Sequence, residues 1–180
     1  MRRSRALSIA PGAFFVAQSW ADCITNMAGF NLRQAQENDT TLFIARAEAE
    51  HIVSTGVRIG AHLPAYCSAT GRVLLSQFAG KDILERIGRK ALPARTPRTL
   101  TKPTDIVAEI CSLREKGYAI SDEELELGIR ALAVPVAGSN GEIVAAVSVS
   151  ASSARVRAVE LSKRFLPILQ SCARMLVEAT

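Results

Sequence analysis

Residues 117–150 read GYAISDEELELGIRALAVPVAGSNGEIVAAVSVS, an acidic segment running into two stretches of β-branched and small apolar residues. The stretches 129–136 and 142–150 are separated by AGSNG, whose Gly and Asn accept the positive φ that a hairpin loop needs. The pattern predicts a β-hairpin. Successive side chains of a strand point to opposite faces. Val144, Ala146, Ser148 and Ser150 therefore share one face of the second strand, and Ile143, Ala145, Val147 and Val149 the other. In the first strand Leu132, Val134 and Val136 oppose Ile129, Ala131, Ala133 and Pro135. Alternation leaves the register open. If Ala131 and Ala133 share a face with Ser148 and Ser150, the hairpin has a bulky surface for core packing and a shallow one of methyls and hydroxyls. The shallow surface reads either as the wall of a small-molecule pocket or as ground for a closely packed helix.

The rest of the chain bounds the reading. Its 180 residues suit one domain with a substantial core, and 48% apolar with 22% charged residues is ordinary globular composition. No apolar run is long enough to span a membrane as a helix. A net charge of +5 permits acidic partners. The basic residues Arg86, Arg89, Lys90, Arg95, Arg98 and Lys102 are interleaved with apolar residues and prolines, and Arg155, Arg157, Lys163 and Arg164 lie on a predicted helix. Without a recognition-helix motif they read as solvated faces. Cys23, Cys67, Cys111 and Cys172 are widely spaced, and His51 and His62 are the only histidines, so the spacing matches no zinc pattern. No metal or cofactor is expected. The cysteines read as reduced thiols and the location as cytoplasmic.

Along the chain, the basic start and apolar run of residues 1–21 have the outline of a signal peptide, interrupted by Pro11 and Gly12. The alternative is a terminus leading into a helix over 14–28, ended by Gly29. Strands are expected over 31–36 and 41–47, joined in a hairpin by Glu37-Asn38-Asp39, and again over 52–59. Ser68 is placed to cap a helix with Val73, Leu74 and Phe78 as its apolar stripe. Its first-turn amides, Ala69, Thr70 and Gly71, form a candidate anion site or simply a capped helix end. A short helix over 80–88, a surface connection over 91–103 and a helix capped by Thr101 or Thr104 and stopped by Gly117 follow. Ala158, Leu161, Phe165, Ile168, Cys172 and Met175 predict a final amphipathic helix, or two helices joined at Pro167.

The series GVRIG (56–60), LPAYCSATGRVLL (63–75), GYA (117–119) and DEELELGIRALAVPV (122–136), with ARV (154–156) and FLP (165–167), resembles the effector-binding domain of IclR-type bacterial transcription regulators. The likeness covers 41–180 and is closest to the branch responding to protocatechuate, 4-hydroxybenzoate or β-ketoadipate, which controls aromatic-acid catabolism. It implies an α/β (α+β) fold of GAF-like or profilin-like type, a largely antiparallel sheet flanked by helices. It also implies a small carboxylic-acid effector and a homodimer or homotetramer of the whole regulator. The family's effector-binding positions fall here on Ala69 and Thr70, on Ser121 and Asp122, and on Ala131, Ser148 and Ser150. With the likeness in hand, the pocket reading of the shallow face is preferred. Ser121 and Ala131 differ from relatives that carry an acid or a thiol there.

The expected function is transcription regulation by effector binding, without catalysis. The amides of Ala69, Thr70 and Gly71 and the hydroxyls of Ser148 and Ser150 would hold an aromatic or dicarboxylic acid, with Ala133, Val144 and Ala146 along its apolar part. The family's winged helix-turn-helix is not found in residues 1–40, which read as an uncertain segment with a linker-type helix. DNA contact is expected only through such a domain, and no membrane contact is expected. Two other readings remain: a truncated oligomerisation partner of full-length regulators, and an enzyme using Cys67 as an activated thiol or Ser148 as a nucleophile, neither of which has a local histidine base.

Overall fold

The β-branched runs and the helical stripes come in blocks along the chain, as β1 (Ile24–Phe30), β2 (Thr40–Ala47), β3 (His62–Pro64), α1 (Ala69–Leu75), α2 (Gly80–Ile87), α3 (Pro103–Lys116), β4 (Ala119–Asp122), β5 (Ile129–Ala137), β6 (Ile143–Ser152) and α4 (Ala158–Glu178). This computed structural model describes residues 24–30, 40–47 and 60–178. The strands form one antiparallel sheet in the order β3-β2-β1-β6-β5-β4.

The register of the β5–β6 hairpin settles which residues share a face. Ala131 lies opposite Ser150, Ala133 opposite Ser148 and Pro135 opposite Ala146, while Leu132, Val134 and Val136 face Val149, Val147 and Ala145. The bulky face packs against Leu161, Phe165 and Leu169 of α4, all at most 1% exposed. Burying each such side chain stabilises the fold by roughly 1.5–3 kcal/mol. The small face receives α1, with Ala69, Val73 and Leu74 against Ala133 and Ala146. Short side chains on both partners let that helix lie close to the sheet.

Every residue of α1 is buried, so its ends need internal partners. The Ser68 hydroxyl caps the start by accepting from the Gly71 amide at 3.2 Å. At the other end Arg114 Nε of α3 donates to the Ser76 carbonyl at 2.7 Å. A Cβ at Gly71 would come 2.3 Å from the Ala65 Cα, so only glycine allows the chain before α1 to fold back on its first turn. Ile83 and Ile87 of α2 and Ile106 and Ile110 of α3 make a second cluster with Tyr66, Cys67 and Leu75.

Several expectations need correction. The helix expected over 14–28 gives way to β1 from Ile24, because Ile24–Gly29 pair with β6 and Thr25–Phe30 with β2; two ladders outweigh local helix preference. β2 agrees with the strand expected over 41–47, but its described partners are β1 and β3. The signal-peptide outline of residues 1–21, the strand expected over 31–36 with its turn at 37–39, and the strand expected over 52–59 lie outside the described residues. α3 starts with Pro103 as its first residue after Lys102, with no side-chain cap from Thr101 or Thr104. It ends at Gly117, whose φ of 74° and bond to the Leu113 carbonyl are those of a left-handed cap. Residues 91–103 are more than a surface connection, since Leu92, Thr96 and Thr99 are buried. α4 is one helix with Pro167 inside it. Past that proline the buried stripe moves to Leu169, Cys172 and Leu176, leaving Met175 38% exposed.

Candidate effector site

The small face of the sheet brings most of the candidate residues together. Register places Ser121, Ala131 and Ser150 in one row and Ala119, Ala133 and Ser148 in the next. Both rows continue into β1, Ser150 facing Ile24 and Ser148 facing Asn26, and Asn26 in turn faces Arg46 of β2. Ala146 follows two residues from Ser148 on the same face, and α1 lies over it with Ala69. Ser121 and Ser148 are 3% and 2% exposed, which makes them buried hydroxyls. Ser121 Oγ donates to the Cys67 carbonyl at 2.9 Å, so β4 holds the approach to α1 directly.

Three residues stand differently from expectation. The Gly71 amide is not free, because Ser68 Oγ accepts its hydrogen; of the three first-turn amides, Ala69 and Thr70 remain as candidates. Asp122 occupies the next register position after Ser121, opposite Arg130. Its carboxylate pairs with Arg130 Nε and lies 3.5 Å from Arg98. Val144 is 45% exposed near the hairpin turn, away from the covered part of the small face.

Sequence reasoning passed over the residue that organises this region. Arg72 is 1% exposed, and its guanidinium grips Glu124 with Nη1–Oε1 and Nη2–Oε2 distances of 2.6 Å each. Its Nε donates to the Tyr66 carbonyl at 2.8 Å. Glu124 is held on its other side by the Leu100 amide at 3.3 Å, while Thr99 Oγ1 donates to the Glu124 carbonyl at 2.6 Å. Thr96 Oγ1 donates to the Glu123 carbonyl, also at 2.6 Å. Glu123 adopts a left-handed φ of 59° and accepts the Gly128 amide at 3.3 Å, turning the chain within the acidic segment. The available signal was a charged residue inside the apolar run ATGRVLL together with the downstream DEELE. A buried charge requires a partner.

The electrostatics follow. Arg72 and Arg130 each face a carboxylate, Glu124 and Asp122, so these two guanidinium charges are already neutralised. Toward the small face the described residues offer the hydroxyls of Ser121, Ser148 and Ser150 beside backbone groups, which suit ligand orientation. Cys67 is fully buried, and burial pushes its thiol up to about 11 despite the opposing pull of Arg72 and Arg95. Tyr66, whose hydroxyl donates to the Pro93 carbonyl at 2.6 Å, is pushed up to about 12, chiefly by burial. A thiol with a raised pKa is the opposite of an activated nucleophile. His62 lies on β3, bonded to Thr40 at 3.3 Å. Among the described residues no group of three or more His, Cys, Asp and Glu is arranged to hold a metal. No described helix is long and apolar enough to cross a membrane.

One antiparallel sheet with a small-residue face under a short buried helix and a bulky face under a long one makes a GAF-like α+β domain. Residues 30–177 match the family described as bacterial transcriptional regulator IclR C-terminal, and the chain belongs to that family, carrying its effector-binding domain. It is 43% identical over 139 residues to the Pca regulon regulatory protein of Pseudomonas putida, covering 77% of this chain and 48% of that protein. It is 29% identical over 167 residues to the p-hydroxybenzoate hydroxylase transcriptional activator of Acinetobacter baylyi, covering 89% of this chain and 62% of that protein. The chain thus spans about half the length of the first of these relatives. Among solved structures, the inducer-binding domain of the PobR transcription factor from Acinetobacter, a double mutant in complex with 3-hydroxybenzoic acid, superposes with a TM-score of 0.83 at 26% identity. That match covers 96% of this chain and 98% of the other.

Proposed function

We propose that this domain senses a small hydroxylated aromatic acid, or a related dicarboxylic acid, and thereby controls genes of aromatic-acid catabolism. The observation that carries the reading is the match over nearly the whole chain to an inducer-binding domain solved with 3-hydroxybenzoic acid. The buried row of small and hydroxylated residues beneath α1 supports it. The Ala69 and Thr70 amides, Ser121 and the hydroxyls of Ser148 and Ser150 bind the acid's polar groups. Ala131, Ala133 and Ala146 line its ring, and Asp122 acts from the end of β4. No covalent chemistry is assigned, and the buried, high-pKa thiol of Cys67 supports that choice. The regulator works in the cytoplasm as a homodimer or homotetramer and reaches DNA through a winged helix-turn-helix. The acid acts by binding one arrangement of that assembly more tightly than another.

The test is the thermal midpoint of the protein against protocatechuate, 4-hydroxybenzoate, 3-hydroxybenzoate and β-ketoadipate. An acid at 100 times its Kd stabilises the fold by about 2.7 kcal/mol. The expected outcome is a midpoint rise with at least one acid, abolished in Ser148→Ala while the unliganded midpoint shifts little. No rise with any of the four removes the effector reading.

A further inference from the structure

We infer that Arg72 and Glu124 are a positioning pair, the strut that sets the width of the effector site. The inference rests on the reading that the acid lies between the first turn of α1 and the Ser121–Ala131–Ser150 row.

Two bridges join those walls. One is the Ser121 hydroxyl on the Cys67 carbonyl; the other is the Arg72–Glu124 fork, one helical turn beyond Ala69. Residues three apart on a helix lie on one face, so Arg72 fixes the same side of α1 that carries Ala69. Its Nε anchors Tyr66, so a single guanidinium holds the loop before α1, α1 itself and the acidic segment after β4. Glu124 cannot drift, because the Leu100 amide and the Thr99 hydroxyl grip its side chain and carbonyl from outside.

The physical argument concerns geometry rather than stability. Desolvating two charges offsets most of their attraction, so a buried ion pair contributes little that well-packed apolar side chains could not. A bidentate fork does fix distance and orientation, which apolar contacts do not. A binding constellation needs its groups held to within roughly 0.5 Å. Neither member of the pair needs to touch the acid.

The experiment compares wild type, the double variant Arg72→Met with Glu124→Leu, and Glu124→Asp, which keeps the charge and shortens the strut by one methylene. Hydrogen exchange of the unliganded proteins is read in residues 65–70 and 119–122, and Kd is measured for 4-hydroxybenzoate, protocatechuate and 3-hydroxybenzoate. In the double variant, exchange in both segments is expected to rise several-fold while β5, β6 and α4 keep their protection. Kd weakens tenfold or more at a thermal midpoint close to that of wild type, and Glu124→Asp falls between the two. Unchanged exchange in both segments, or a wild-type Kd, overturns the positioning role. If the double variant does not fold, Glu124→Asp decides by the same two readouts. If wild type binds none of the acids, the effector reading falls separately, and exchange alone decides whether the pair holds the two walls.

Discussion

The two faces of the β5–β6 hairpin alternate residue by residue along the same two strands and do opposite things. One presents Leu132, Val134, Val136, Val147 and Val149 to a long amphipathic helix. The other presents Ala131, Ala133, Ala146, Ser148 and Ser150 to a helix of seven residues buried on every side. On the first face side-chain volume fills the gap between layers, and burial scales with it. On the second the backbones approach closely, and hydroxyls remain next to methyls under a lid of α1. A sheet can thus be anchored from behind and kept chemically adaptable in front, because alternation separates the two tasks residue by residue.

The largest expected effect breaks the anchoring face. Phe165→Ala removes a ring that is 1% exposed and is expected to cost about 3–5 kcal/mol in chemical denaturation. If the faces are independent, a variant that still folds keeps the wild-type acid response. Overpacking the small face is the sharper probe. Ala133→Leu puts three extra carbons where Ala69, Val73 and Leu74 already close on the sheet, at a cost of roughly 1–3 kcal/mol, with loss of the acid response. Wild-type stability in that variant would falsify the close approach of α1. The smallest effect comes from Cys67. Its folded pKa is raised from 9.0 to about 11, so its contribution is fully present below pH 9 and is lost as pH rises toward 11, where only the unfolded chain ionises readily. The midpoint of wild type should fall more steeply than that of Cys67→Ala across that window, with no difference near neutrality.

What could be read from the sequence follows the range of the physics involved. The hairpin was legible because alternation and turn chemistry are local, and the AGSNG loop left few choices. The caps at Ser68 and Gly117 were legible for the same reason. β1 was not, because residues 24–30 become a strand only by pairing with β2 and with β6, far away in sequence. The candidate residues came partly from strand alternation and partly from the family resemblance, and the cross-strand register puts Ser121, Ala131 and Ser150 in one row. The Arg72–Glu124 fork joins residues 52 apart in sequence and depends on tertiary approach. Only the conflict between a charge and its apolar surroundings hinted at the fork.

The position of β1 also shapes the order in which the molecule assembles. It joins β2 to β6, so the third strand of the sheet unites Ile24 with Ser150 across most of the chain. Closing so long a loop is entropically expensive and is rewarded late, whereas the β5–β6 hairpin needs only a short turn. The hairpin and α4 are therefore expected to form a nucleus early, with β6 exposing an unpaired edge until β1 docks. The strand that bears Ser148 and Ser150 is, during folding, the one most in need of protection from pairing with the wrong partner.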